Sequence, residues 1–474
     1  MNIYETLLKN EVKYKARDYI YEKKDGKFLP ISYSGFLEKT RKIAHYLLEK
    51  GKKGEKIIIF SNNSIDLMAI DLAIACYVGV SIIVSKEWKE DDLKEAITFL
   101  DVSCVIYSNS KETIIKNLKQ ENLTVDYISI EDDLNNINSQ TNKDLPQKGN
   151  DECVKIVFSS GTTGYPKAVM LSFKNIFAGL PSLKRRVILT EEDSTYLFLP
   201  LNHTYGCIYN FYYSLVIGYK IYLASSIQKL GEELQETNPT IFCAVPVIYR
   251  TFYEKSKHLL GQAFGKNIKY LFCGGAKLDK EILRTYKEQN LTILEAYALS
   301  ETASSLSIDY ANDKEEESVG TIFEDIEVKI ANEDESGYGE IIVKGDNVFL
   351  GYANNQTLTN QVMKDGYFYT GDIGYIKDNK IYLIGRKKEI LIGENGENIS
   401  KEKLEEKIKR KDSNINKVKV YWKNNKLSCT IYLKEKENKN WDHFIENLNK
   451  SLPKYENIKT YNVVMDSVEQ RLKQ

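Results

Sequence analysis

Four histidines and seven cysteines among 474 residues leave little material for a metal centre or a disulfide framework. The cysteines (Cys76, Cys104, Cys153, Cys207, Cys243, Cys273 and Cys429) are odd in number and widely scattered. No two stand at metal-ligand spacing, which argues against a zinc site and for a reduced, cytoplasmic chain. Strong charge is missing too. A formal net charge of −1 offers no footprint for nucleic acid or an anionic membrane. The opening "MNIYETLLKNEVKYKARDY" lacks the apolar stretch of a signal peptide. The most apolar run, "LMAIDLAIACYVGVSIIV" (67–84), is interrupted by Asp71 and divided by Gly79. It predicts a buried helix feeding a buried strand, not a transmembrane segment.

What is present is a globular composition, 42% apolar and 28% charged. The length exceeds one ordinary core, so two or three domains are expected. Helix-period segments such as "YSGFLEKTRKIAHYLLEKG" alternate with short apolar runs: "EKIIIF", "SCVIYS", "TVDYISI", then "YLFLPL", "KIYLAS", "TIFCAVP", "IKYLFCGG" and "LTILEAY". That rhythm predicts an α/β fold with parallel strands. Residues 134–151 read as a polar linker. From about residue 317 short strands and turns predominate, and roughly 389–474 reads as a small α+β domain with two helices and two strands.

"FSSGTTGYPKAV" (158–169) follows the strand-like "CVKIVF". Its lysine follows "GTTGYP", so it is not G-x-x-x-x-G-K-[ST]; and "KAVML" looks like a second strand where a Walker loop would open a helix. A lone loop of this kind is more often a plain turn than a phosphate cradle. Hydroxyls and bare backbone N–H groups do suit phosphate, because several donors can converge on one anion. Four further stretches follow in order: "YALSET" (297–302), "GEIIVKG" (339–345), "YTGDIG" (369–374) and "GRKKEIL" (385–391). Singly, each has a plain structural reading: Tyr297 is one of 33 tyrosines, Asp372 a turn former, and 386–388 a solvated charge run.

Together, in order, spacing and content, these motifs resemble the adenylate-forming superfamily that includes acyl-CoA synthetases, luciferases and nonribosomal adenylation domains. The resemblance covers nearly the whole chain. It implies a large N-terminal AMP-binding region of packed α/β subdomains with a β-rich subdomain (1–387), followed by a small mobile α+β domain (388–474). It implies ATP, Mg²⁺ and coenzyme A as ligands, with carrier-protein phosphopantetheine as the other thiol acceptor. It places Ser159, Ser160, Gly161, Thr162, Thr163, Gly164 and Lys167 on the ATP phosphates, with Thr163 and Lys167 also counted as catalytic. Tyr297 would stack on adenine, with Gly274, Gly275, Ala276, Glu295 and Ser300 at the nucleotide. Glu301 would hold Mg²⁺, Asp372 and Arg386 the ribose, and Lys388 the hinge. "LPLNHTYG" (199–206) matches the segment near the reacting carboxylate, so His203 becomes an acid-site residue. "VPVIYRTFYEK" and "CGGAKLDKEIL" resemble the long-chain fatty acyl branch, so the expected activity is AMP-forming ligation of an apolar, fatty acid to coenzyme A.

Two departures matter. Ala298 and Ser300 replace the family's Gly and Thr in "YGxTE". The C-terminal "GK" segment, whose lysine contacts the α-phosphate, is missing; Arg471 or Lys473 stands nearest to it. A non-catalytic nucleotide-binding relative is the rival reading on that ground.

Overall fold

A computed structural model describes residues 1–121, 123–137, 144–159, 167–257, 259–310, 317–335, 337–387, 390–392, 398–423, 426–437, 439–452 and 456–465. The chain divides into two compact units: Met1–Val328 with Val343–Phe368 and Asn379–Ile381, and Lys329–Ile342 with Tyr369–Asp378 and Tyr382–Gln474.

In the first unit, strands Cys153–Ser159, Val80–Ile83, Lys56–Phe60, Cys104–Tyr107 and Asp126–Ser129 lie side by side and parallel. Ile57, Ile58, Ile59 and Phe60 are all buried, as a parallel sheet covered on both faces requires. Helix Tyr33–Glu49 begins at Ser32, whose hydroxyl accepts from Gly35 N; Ser64 caps helix Ile65–Ala73 by accepting from Leu67 N. The apolar run behaves as its pattern predicts. The helix widens to a π-turn over Ile74–Val78, ends at Gly79 and feeds strand Val80–Ile83. Glycine is required there by close approach, since a Cβ would lie 2.0 Å from Glu55 O. No helix among the described residues is long and apolar enough to cross a membrane.

Asp71, the acid that interrupts this run, is fully buried against Lys155 Nζ at 2.6 Å. Its carboxylate also accepts from the Ser81 hydroxyl and from Tyr212 Oη. Burial alone would depress the Lys155 ammonium, but the Asp71 carboxylate outweighs it and holds the pKa above its ordinary value.

A second sheet in this unit runs Lys27–Ser32, Asp18–Lys24, Lys220–Leu223, Ser194–Leu197, Ile241–Ala244, Tyr270–Cys273 and Ile293–Tyr297, parallel after the first hairpin. Helix Ile3–Tyr14 and the opening hairpin precede the alternation on which the sequence reading rests. The chain is thus the α/β protein that its alternating pattern predicts.

In the second unit, helices Lys401–Lys409 and Trp441–Lys450 accompany strands Ile415–Lys423, Lys426–Leu433 and Thr460–Met465. Leu404, Ile408, Val420, Cys429, Ile431 and Leu448 form their core. The sequence predicts two of these strands. The third, in "KTYNVVM", pairs parallel with Lys426–Leu433; Tyr461 and Val463 alternate with Thr460 and Asn462 and pack against that core, an alternation that ends at Val464.

Candidate active site

Strands Cys153–Ser159 and Lys167–Ser172 are antiparallel, with Ser159 opposite Lys167. The glycine loop therefore joins two strands, as expected. Ser160, Gly161, Thr162, Thr163 and Gly164 lie outside the described residues, as do Lys388, Arg471 and Lys473.

Glu301 sits on a single 3₁₀ turn, Ser300–Thr302, just past strand Ile293–Tyr297, and is buried. Thr302 Oγ1 accepts from Leu299 N at 3.0 Å and closes the turn. Ala303 and Ser304 then take left-handed φ values of 45° and 56°, a conformation that costs free energy for residues with a Cβ. Packing holds them there: Ser304 Oγ donates to Thr204 Oγ1 at 2.7 Å and Tyr209 Oη donates to Ser304 O at 3.0 Å. These bonds tie the Glu301 turn to the segment carrying His203. His203 itself is exposed, and partial desolvation lowers its imidazole pKa. That shift favours the neutral imidazole, which can hydrogen-bond without adding charge.

Glu301 and Lys167 meet through a residue the sequence reading misses. Tyr352 Oη donates to Glu301 Oε1 at 2.8 Å and accepts from Lys167 Nζ at 3.4 Å. "GYANN" lies outside every motif on which the sequence reading rests.

Tyr297 is buried at the end of its strand, opposite Ser307. Glu295, also buried, accepts from Leu278 N at 3.1 Å and so anchors the loop holding Gly274, Gly275 and Ala276. Gly275 has φ +90°, and a Cβ at Gly274 would come within 3.3 Å of the Tyr205 ring. Gly275 and Ala276 are exposed, while Gly274 is buried.

In the second unit, Asp372 and Arg386 are brought together, with Arg386 Nε 2.7 Å from Asp372 Oδ1. Asp372 N donates to Thr370 Oγ1. The preceding Gly371 donates its N–H to Glu340 Oε1 at 3.0 Å, and Glu340 Oε2 also pairs with Lys387 at 2.7 Å. Glu340, the acid of "GEIIVKG", is a second residue that the sequence reading leaves without a role.

The donor set suits a magnesium–polyphosphate complex. A buried carboxylate oxygen is the hard ligand Mg²⁺ prefers, and one such group with phosphate oxygens and water is a common arrangement. Lys167 lies one hydroxyl away from it.

The chain is 25% identical to a 2-succinylbenzoate–CoA ligase of Oceanobacillus iheyensis over 82% of this chain and 82% of that protein. In fold it is similar to a Mycobacterium tuberculosis fatty acyl CoA synthetase (TM-score 0.78, 19% identity, 98% of this chain and 94% of that one). It is likewise similar to the O-succinylbenzoate coenzyme A synthetase of Bacillus subtilis in complex with ATP and magnesium ion (TM-score 0.83, 18% identity, 97% and 95%). A family model described as AMP-binding enzyme matches residues 12–353, which is most of the chain and includes Lys167, Glu301 and Tyr352. By that match, the protein belongs to the AMP-binding enzyme family.

Proposed function

We propose that this protein is an AMP-forming acid–thiol ligase that activates an apolar carboxylic acid as its acyl-adenylate and transfers it to coenzyme A. The observation that carries the reading is the Lys167–Tyr352–Glu301 grouping beside the strand pair that bears the glycine loop. The names of the relatives support coenzyme A as the thiol. The fatty acyl CoA synthetase favours an apolar acid, whereas the 2-succinylbenzoate–CoA ligase favours an aryl one over the fatty acid expected from sequence.

A carboxylate is a poor acyl donor because its leaving group would be oxide. One carboxylate oxygen attacks the α-phosphorus of ATP, the bond to the bridging oxygen breaks, and pyrophosphate leaves with that electron pair. The thiolate then attacks the carbonyl carbon and AMP departs. Two anions must first be held together, so positioning and charge neutralisation dominate the barrier. Bound Mg²⁺ would draw charge from the phosphate oxygens. Ser159 and the loop residues through Gly164 would donate to the phosphates, with Lys167 supplying a cation. Neutral His203 would hydrogen-bond the incoming carboxylate. Tyr297 would stack on adenine beside Gly274, Gly275 and Ala276. Lys388 would be the hinge of the small domain.

Acid-dependent ATP–pyrophosphate exchange is expected, strongest with apolar acids. The panel is medium- and long-chain fatty acids, aryl acids including 2-succinylbenzoate, and amino acids. Exchange with none of them, while ATP still binds, would favour the non-catalytic reading. AMP release that requires coenzyme A but no added carrier protein identifies the acceptor; dependence on a phosphopantetheinylated carrier would replace it.

Asp372 would take both ribose hydroxyls, since two carboxylate oxygens can accept from neighbouring O–H groups in one plane, with Arg386 alongside. Asp372→Ala should raise the KM for ATP and leave kcat nearly unchanged, because ribose contacts persist from ground to transition state. Initial rates across ATP concentrations check this. A selective fall in kcat contradicts the ribose assignment.

A further inference from the structure

Tyr352 belongs to none of the motifs that point to the site, yet it stands between two of them. Its ring cannot swing away. It is buried edge-on against Phe349 at 4.8 Å between ring centroids, and its backbone N donates to Thr359 Oγ1. The surrounding segment is bonded on both sides. Phe349 N donates to Glu301 O, Leu350 N to Met170 O and Ala353 N to Ala168 O. Tyr352 itself pairs with Val169 on the strand that begins at Lys167. Residues 349–353 therefore bridge the Glu301 turn and the Lys167 strand through backbone as well as side chain.

The hydroxyl has one proton and two lone pairs. Here the proton goes to the carboxylate and a lone pair faces the ammonium, which also lies 5.1 Å over the same ring. Opposite charges this close, with Glu301 buried and Lys167 half-buried, attract and close into a direct pair when nothing stands between them. An ammonium so paired commits its donors to the carboxylate, and the carboxylate commits its oxygens to the ammonium. With the hydroxyl interposed, Lys167 spends one of its three N–H donors on an uncharged oxygen, and Glu301 spends one oxygen on an O–H.

We propose that Tyr352 is a positioning residue whose hydroxyl keeps Lys167 and Glu301 apart and aimed at the same metal–polyphosphate, so that neither neutralises the other. This rests on the reading that Glu301 holds Mg²⁺ and Lys167 a phosphate. Tyr352→Phe keeps the ring and its packing and removes only the bridge.

The test measures three quantities in wild type, Tyr352→Phe and Glu301→Gln: the Mg²⁺ dependence of ATP binding by calorimetry, the Mg²⁺ half-saturation of pyrophosphate exchange, and Tm. Tyr352→Phe is expected to raise the Mg²⁺ requirement in both assays by about tenfold, the scale of one hydrogen bond to a charged group. Saturating Mg²⁺ should restore most of the activity, and Tm should hold. An unchanged Mg²⁺ requirement in Tyr352→Phe, while Glu301→Gln raises it, overturns the positioning role alone. Unchanged Mg²⁺ dependence in Glu301→Gln overturns the metal assignment beneath it. A lowered Tm with equal losses at low and saturating Mg²⁺ reduces Tyr352 to a core side chain and also overturns the proposal.

Discussion

Glu301→Gln is expected to slow acid-dependent pyrophosphate exchange by about a hundredfold, or about 3 kcal/mol, and to raise the Mg²⁺ requirement. The substitution is chosen for what it preserves. Glutamine has the same length, and its amide oxygen can still accept from Tyr352 Oη, which now donates to Glu301 Oε1. The backbone carbonyl that receives Phe349 N is untouched. Only the charge is removed, from a buried position where low dielectric makes it most effective. Exchange rates against Mg²⁺ concentration, with Tm as the check on folding, decide the matter. Wild-type kinetics in a folded variant would remove Glu301 from the mechanism.

Lys155→Met is expected to destabilise the first unit by about 3–5 kcal/mol, because it leaves the Asp71 carboxylate buried without a counter-charge. Both side chains are fully enclosed. Ser81 and Tyr212 still donate to Asp71, but two hydroxyls do not replace an ammonium at 2.6 Å. Asp71→Asn should cost a similar amount from the other side, stranding the lysine. The double variant Asp71→Asn/Lys155→Met should recover part of either loss. It buries no net charge, and the asparagine oxygen keeps one of the two hydroxyl bonds, while its NH₂ faces the other hydroxyl as a donor. Denaturant midpoints of the four proteins measure this. Losses below 1 kcal/mol in both single variants would mean that the pair is relieved by water or by neutralisation.

The alternation of apolar strands and amphipathic helices is a local property, and it was enough to predict the parallel α/β architecture. The helix and strand of 67–84 were equally legible, since Gly79 divides them and Asp71 rules out a span. The strand Thr460–Met465 was not singled out, because its alternation of Tyr461 and Val463 with Thr460 and Asn462 spans only four residues before Val464 breaks it. Ser159, Lys167, Glu301, Asp372 and Arg386 were legible as residues of ordered motifs. How they are held was not.

Residue types, their order and their spacing are written in the chain, so the family, the fold class and the candidate chemistry follow from the sequence by itself. Partnership is a matter of position in space. Tyr352 lies 51 residues from Glu301 and 185 from Lys167, and Asp71 lies 84 residues from Lys155. No local pattern encodes such separations, because they close only when strands pair and a core excludes water. The tertiary structure alone decided that the acid interrupting an apolar run is half of a buried ion pair. It alone decided that a tyrosine on a short strand outside the ordered motifs stands between the lysine and the carboxylate.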